Sequence, residues 1–312
     1  MKISVLIINY KTYNLLENCL LSLQEHTRGV NYEVIVVDNA SDEKQLTGIR
    51  DKYPPVKFIP VALNIGFAAA NNLGALSSTG EYLLILNNDT IFIENSLKIL
   101  ADYMDELNEE CVVGCRLLNS DGTFQESAVE ADTVLNKAGE TFFLYKIFKR
   151  NRYLNKYYLN YCPVSEVVET DYVKGAFMFM RRETFTRLSG FDERFHFFAE
   201  EADFCIRFKK EGNRVLFYPF TSIIHLGGAT TDLTPWFMYK NMHIAIISLF
   251  QKNYSLPKRA ILIFIYEIGR VLRVVIFTLL GIVFLRKSLF LKSLYFFRQL
   301  LIYPKNKFKI TR

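Results

Sequence analysis

The chain of 312 residues has little of what a cross-linked or exported protein needs. Its five cysteines, Cys19, Cys111, Cys115, Cys162 and Cys205, are odd in number and contain no CxxC spacing. That pattern offers neither a zinc site nor a disulfide framework and favours a reducing compartment. The early apolar run from Ile3 to Ile8, with Ser4 inside it, is too short for the core of a signal peptide. No small-residue cleavage site follows it, so the run reads as a first strand and the expected location is the cytoplasm. Internal repeats and low-complexity linkers are missing. So is a phosphate loop rich in Gly and Lys, since Ile8–Leu16 offers only Lys11. This argues against a nucleotidyltransferase. No serine or cysteine stands in a nucleophilic constellation.

Acids are nearly missing from one end. From Phe237 to Arg312 there are 14 Lys or Arg and a single acid, Glu267, a net charge of +13. The remainder carries 24 Lys or Arg against 31 Asp or Glu, a net charge of −7. An acidic body with a basic tail suggests an anionic partner for the tail. The most apolar part of that tail, Val274 to Leu285, is flanked by Arg270, Arg273, Arg286 and Lys287. A spanning helix needs ~20 apolar residues. Reaching that length includes Glu267, Arg270 and Arg273, each costing about 3 kcal/mol at a bilayer centre. A helix lying in the membrane interface fits better, against the competing reading of a soluble helical subdomain or oligomer interface. The expected partner is an anionic membrane surface, with no nucleic acid.

Half of the residues are hydrophobic and 15% aromatic, enough for one large core or a core with an appendage. Strand and helix signals alternate up to about residue 120. Strands are expected at Ile3–Ile8, Glu33–Val37, Val56–Pro60, Leu83–Leu86 and Val112–Leu118, and helices at Thr12–His26, Phe67–Ser78 and about Asn95–Leu107. Unbroken apolar strands in this rhythm predict an α/β fold, a mainly parallel sheet with helices on both faces. Residues 119 to 170 are less regular. A strand at Tyr172–Arg181, a helix from about Glu200 to Glu211 closed by Gly212, and a strand at Arg214–Tyr218 follow. The expected domains are 1–235 and a helical extension, 236–312.

Polar groups recur where apolar strands end. Tyr82–Leu86 breaks into Asn87, Asn88 and Asp89, and the strand ending at Val37 runs into Asp38 to Asp42. In open α/β folds such ends line the ligand crevice. An Asn/Asp turn, or an Asx cap on the next helix, would equally explain them. Asp38 and Asp42 can accept hydrogen bonds from a base or ribose. Gly66 and Ala68–Ala70 let a ligand approach the backbone at a helix N-terminus suited to an anion. Asp89 is a hard oxygen ligand for a divalent cation bridging two phosphates, and His225 is a candidate second ligand that favours Mn²⁺ over Mg²⁺. Glu200, Glu201 and Asp203 open a helix after the aromatic run Phe195–Phe198. Acids there suit the helix dipole, but desolvation by aromatics would also raise a carboxylate towards a useful base.

Seven segments, SVLIINY, IVVDNASD, NIGFAAANNLG, LLILNNDT, VKGAFMFMRRETFTRLSGFDERF, EEADFCIRFKKEGNRV and IIHLGG, run in order from Ser4 to Gly228. Together they resemble the inverting family 2 glycosyltransferases of the GT-A fold, most closely their rhamnosyltransferase-like branch. The resemblance implies that Asn9, Asp38, Asp42, Asn64, Gly66 and Asn71 line a nucleotide pocket, with Gly175 and Ala176 on the sugar and acceptor side. Asn87 and Asp89 stand at the DxD-type motif, Asn87 on the ribose or a phosphate and Asp89 on the metal, with His225 where some members place a ligand. Glu201 takes the place of the catalytic aspartate, a departure of one methylene that leaves Glu200, Glu201 and Asp203 as candidate bases. The implied reaction moves a sugar from a nucleoside-diphosphate donor, dTDP-rhamnose first and UDP-sugars next, with Mn²⁺ or Mg²⁺. The implied acceptor is a saccharide hydroxyl, lipid-linked, in cell-surface polysaccharide (O-antigen) synthesis at the inner face of the membrane. A non-catalytic nucleotide-sugar-binding scaffold is the alternative from another class.

Overall fold

The computed structural model describes residues 2–40, 42–161, 164–227 and 235–302. Ser41, Cys162, Gly228 and the last ten residues of the tail lie outside the described residues. By its internal contacts the chain forms two compact units. One comprises Met1–Glu130, Cys162–His196 and Glu200–Thr231, and the other Ala131–Tyr161, Phe197–Ala199 and Asp232–Arg312. The irregular stretch after Asn119 therefore contributes to both units, whereas sequence patterning alone suggests a single cut near residue 235.

The first unit is built on a ten-stranded sheet. Strand β1 (Ile3–Asn9), helix α1 (Tyr13–His26), β2 (Tyr32–Asn39), α2 (Glu43–Lys52), β3 (Lys57–Val61), α3 (Phe67–Ala75) and β4 (Tyr82–Asn87) form its parallel half. The rest of the unit comprises β5 (Thr90–Phe92), α4 (Ser96–Leu107), β6 (Cys111–Leu118), β7 (Phe124–Gln125), β8 (Ala128–Val129), β9 (Val168–Thr170), β10 (Tyr172–Val173), β11 (Phe177–Arg181), α7 (Arg182–Arg187), α8 (Glu200–Lys210) and β12 (Arg214–His225), with β8 and β10 paired in a separate two-stranded sheet. Spatial order is β3-β2-β1-β4-β11-β6-β12-β5, with β11 antiparallel to β4. The chain winds one way from β1 to β3 and the other way from β4, so the order reverses between β1 and β4. Crevices open at that kind of switch point.

The strands are apolar throughout because both faces are covered. Ile3, Val5 and Ile7 of β1 join one core with Leu16, Leu20 and Leu23 of α1 and Leu97 and Leu100 of α4. Leu6 and Ile8 point the other way, to Ala68 and Ala70 of α3 and Phe204 and Phe208 of α8. Period-two alternation thus feeds two helical layers. Helix α2 escapes the sequence pattern because it buries only Leu46 and Ile49.

Two elements differ from the sequence expectation. The strand expected at Tyr172–Arg181 is broken: β10 pairs with β8, β11 pairs with β4, and residues 174–176 between them leave the ladder. There Lys174 N donates to Ser127 O and Ala176 O accepts from Asn87 N. The strand expected to stop at Tyr218 runs on to His225 through an irregularity between Tyr218 and Ser222. Glu94 holds that kink by accepting the Ser222 N–H at 2.6 Å.

The second unit is helical. Helices α5 (Val134–Thr141), α6 (Leu144–Ile147), α9 (Pro235–Asn253), α10 (Leu256–Phe284) and α11 (Lys287–Leu300) make it up. Helices α10 and α11 fold into a hairpin in which the Phe277 and Phe296 rings stack at 5.7 Å and Thr278 meets Ser293 at 2.7 Å. Thr141 of α5 donates to Ile265 O of α10, which ties the stretch after Ala131 into this unit. Among the described residues, no helix is long and apolar enough to cross a membrane.

Gly80 sits where a Cβ would lie 2.5 Å from Ser4 N and 2.8 Å from Ile3 C, both backbone atoms of the central strand. Gly80→Ala is expected to cost roughly 1–3 kcal/mol, the usual range for forced overpacking. Urea unfolding measures it, and an unchanged midpoint would refute this account of the β1 edge.

Candidate active site

Register decides which groups meet. Asn9 of β1 lies opposite Asp38 of β2, and Ile8 lies opposite Asn87 of β4. Strand ends therefore form one row at the carboxyl edge. Asn9 Nδ2 donates to Asp38 Oδ1 at 2.7 Å, and Tyr13 OH to Asp38 Oδ2 at 2.8 Å. Asn88 Nδ2 reaches Asn9 Oδ1 at 2.7 Å and Thr12 Oγ1 at 2.6 Å. Burial pushes the Tyr13 phenol above its ordinary range, so it stays a proton donor. Asp42 is joined to this row through its backbone, which donates to Tyr13 OH at 2.7 Å. Its exposed carboxylate caps α2, taking the N–H groups of Lys44 and Gln45.

The loop before α3 is clamped from β2. Asn39 Oδ1 accepts from Ile65 N at 2.9 Å, and Asn39 Nδ2 donates to Asn64 Oδ1 at 3.0 Å. Asn64 Oδ1 also accepts from Gly66 N at 2.9 Å. Gly66 has φ +91, and a Cβ there would meet His196 Nδ1 at 2.5 Å, so both conformation and space require glycine. Asn71, fully buried, donates to Phe67 O and leaves its own Oδ1 without a partner.

Asp89 and His225 converge from two elements. His225 Nε2 stands 3.3 Å from Asp89 Oδ1 and 3.3 Å from Asn87 Nδ2. On its other side, His225 Nδ1 meets Gln125 Oε1 at 2.5 Å, while Gln125 Nε2 donates to His225 O at 3.0 Å. A neutral imidazole that donates from Nδ1 to Gln125 turns the Nε2 lone pair towards the Asp89 carboxylate. Two acceptors facing each other at this distance suit a shared cation, whose neighbouring ligands, at ~2.1 Å each, would lie ~3 Å apart. Gly227 N fixes the other Asp89 oxygen at 3.1 Å. Among the described residues, no group of three or more His, Cys, Asp and Glu side chains is arranged to hold a metal. A cation held by this pair alone would take most of its ligands from phosphate oxygens or water, as Mg²⁺ and Mn²⁺ sites on nucleotides do.

The three acids of α8 separate. Asp203 is fully buried and paired with Arg207 at 2.9 Å, and Arg207 also donates to Leu188 O and Gly190 O. Glu200 and Glu201 instead each keep a buried oxygen, Oε2, with no partner. Burial raises the Glu201 carboxyl; Lys174 and the N–H groups of Glu201, Gly175 and Ala202 pull it partly back. Burial, with the adjacent Glu201, raises Glu200 well above the usual carboxylate range. Gly175 is therefore part of the acid site: its amide, freed by the break between β10 and β11, donates to Glu201.

A family model described as glycosyl transferase family 2 matches residues 4–183. The chain belongs to this family. Among curated relatives of this glycosyltransferase, N-acetylglucosaminyl-diphospho-decaprenol L-rhamnosyltransferase of Mycobacterium tuberculosis is 24% identical over 74% of the chain and 78% of that protein. O-antigen biosynthesis protein RfbC of Myxococcus xanthus is 28% identical over 72% of the chain, yet the match spans only 17% of that longer protein. Rhamnosyltransferase WbbL of Escherichia coli is 24% identical over 62% of the chain and 73% of WbbL. Among solved structures, TarS residues 1–349 of S. aureus in complex with UDP-GlcNAc superposes with a TM-score of 0.54 at 19% identity. It covers 86% of the chain and 72% of TarS 1–349, a likeness of fold. The family and the GT-A architecture expected from the seven segments are thus the ones found.

Asn39, Asn88, Gln125 and Tyr13 bond to the candidate site residues yet stand out weakly in sequence. Asn39 and Asn88 lie inside the recognised motifs, while Gln125 falls in the irregular stretch, where no pattern marks it.

Glu200 offers a test through stability. Its folded-state carboxyl binds a proton more tightly than in the unfolded chain, whose value is near 4.5. Stability from this group is therefore full below that value and is lost as pH rises through the raised folded one. Glu200→Gln is expected to raise the melting temperature at about pH 7 more than at about pH 4.5. Melting curves across that range decide it, and a loss at neutral pH would contradict the burial argument.

Proposed function

We propose that this glycosyltransferase moves a sugar from a nucleoside-diphosphate donor to a hydroxyl of a lipid-linked saccharide acceptor, inverting the anomeric centre. The Glu201 carboxylate carries this reading. One side is bound by backbone N–H groups, the other oxygen is buried without a partner, and burial raises the carboxyl above its ordinary value, as suits a general base. Glu201 takes the proton of the acceptor hydroxyl as that oxygen forms a bond to the anomeric carbon. The bond from that carbon to the diphosphate oxygen breaks in the same displacement, and its electron pair leaves with the nucleoside diphosphate. Gly175 N and the α8 backbone hold the base in place, and the Asp203–Arg207 pair anchors the helix that carries it.

Asn9, Asp38, Asn64, Gly66 and Asn71 are proposed to shape the nucleotide pocket, with Asp42 at its margin and Asn87 reaching the ribose or a phosphate. Asp89 and His225 are proposed to hold Mn²⁺ or Mg²⁺. A bound cation would neutralise charge developing on the departing diphosphate. The imidazole ligand favours Mn²⁺. dTDP-rhamnose is the favoured donor because two relatives are named rhamnosyltransferases. A UDP-sugar is the second reading, favoured by the UDP-GlcNAc complex of TarS. The acceptor class follows the decaprenol-linked substrate in the mycobacterial relative's name.

A thermal-shift panel of nucleoside diphosphates and their sugars, with and without Mn²⁺, tests the assignment. Metal-dependent stabilisation by a dTDP- or UDP-ligand is expected, absent in Asp89→Ala. Glu201→Gln should keep that stabilisation but lose roughly 10²–10⁴-fold in kcat, the usual worth of a general base. Retained turnover in Glu201→Gln would remove the proposed base, and no nucleotide response at all would remove the donor site.

We further propose that α10 rests on the anionic inner leaflet. Phe264, Val271, Val275, Leu279 and Ile282 are all exposed and recur at helical spacing along one stripe. Arg286, Lys287 and Lys292, exposed beyond its end, would each add about 1 kcal/mol near an anionic surface. Co-sedimentation of the full chain with phosphatidylglycerol vesicles should be lost in Leu279→Glu/Val283→Glu, two exposed positions. Equal pelleting of variant and parent would sink this placement.

A further inference from the structure

The second unit encloses a cavity of about 320 Å³ among α5, α9, α10 and α11. That volume lies at the small end of ligand pockets, which run ~300–1,000 Å³. Met238, Met242, Ile246 and Phe296 make an apolar side. Lys137, Arg270 and Arg273 also line it, against one carboxylate, Glu140.

The cations differ in what they already hold. Lys137 contacts Asp132 and Glu140, each at 2.8 Å, and is thereby neutralised. Arg270, 2% exposed, pairs with Glu267 and touches His243, yet its Nε–H has no partner. Among the described residues, Arg273 donates only to backbone carbonyls, Gly269 O at 3.0 Å and Glu140 O at 3.3 Å. Gln299 donates to Tyr239 O and leaves its buried Oε1 unpartnered. Native proteins seldom leave buried polar atoms empty without a reason. Arg270 and Arg273 are three residues apart on α10, so their guanidinium groups share one side of the helix.

We propose that this cavity binds a single-chain phosphate ester, its phosphate on Arg270 and Arg273 and its hydrocarbon along Met238, Met242 and Phe296. Guanidinium forks match phosphate oxygens in pairs. The apolar side gives no partner to a second polar group, and the volume favours one chain over two. Gln299 Oε1 accepts a hydrogen bond from the phosphate O–H when the phosphate is monoprotonated. The site lies wholly within the second unit and stands whether or not the donor assignment holds.

Titration calorimetry of the full chain with geranyl phosphate tests it, with geraniol, inorganic phosphate and dihexanoyl phosphatidic acid as comparisons. Geranyl phosphate is expected to bind at least about 10-fold more tightly than each of these, and Arg273→Gln to weaken it by about 10-fold or more, as loss of a charged hydrogen bond does. Met242→Trp, at the half-exposed mouth, should block binding while the nucleotide-dependent thermal shift stays as in the parent. Equal binding of geraniol or of inorganic phosphate would overturn the amphiphile, and equal binding of the two-chain lipid would overturn the single chain. Affinity unchanged in both variants, or no binding of geranyl phosphate, would overturn the site itself.

Discussion

Everything at the candidate active site depends on the register of three parallel strands. Pairing Asn9 with Asp38, and Ile8 with Asn87, sets the carboxyl ends of β1, β2 and β4 in one row. A slip of one residue would turn every side chain to the other face. Both faces of these strands are packed by helices, so such a slip would bury Asn9 or Asp38 in the wrong core. Hydrophobic burial on two sides is thus what aligns the polar ends. The Asn9–Asp38–Tyr13 contacts follow from that alignment rather than producing it.

The acid site obeys a second constraint, imposed from the antiparallel side of the sheet. Between β10 and β11 the ladder opens for residues 174–176, and the Gly175 amide goes to Glu201 instead of to a neighbouring strand. The same break offers Ala176 O to Asn87 N. One interruption therefore supports both the carboxylate proposed as base and the strand end beside the proposed metal ligands. Asp203, two residues from Glu201 on α8, is neutralised by Arg207 and serves the helix. Acids two residues apart point differently on a helix, and here that difference separates an anchor from the proposed base.

The helical unit shows a different balance. Its hairpin is held by ring stacking and a few hydroxyl contacts, and much of its large apolar surface remains exposed on α10 and α11. Exposed apolar surface of that extent, rimmed by arginine and lysine, is the observation behind the proposed membrane contact. Inside the same unit Lys137 and Arg270 each hold a carboxylate, while Arg273 donates to backbone carbonyls. Charge at the rim and charge in the cavity together set the chemistry that this unit can receive.

Much of the candidate site was legible in the sequence because parallel strands advertise themselves. Continuous apolar runs ending in Asn and Asp mark both the fold and its carboxyl edge, and Asn9, Asp38, Asn87 and Asp89 stand at those ends. What the sequence by itself determined was the alternation of the main strands and helices in the parallel half, the family, and the residue types available at each strand end. Local patterns could not reveal Gln125 behind His225, or the broken strand at Gly175, since both depend on partners about 100 and 26 residues away. Tertiary structure also sorted the α8 acids. Neighbouring carboxylates acquire different surroundings through burial and partners, and those are properties of the packed chain.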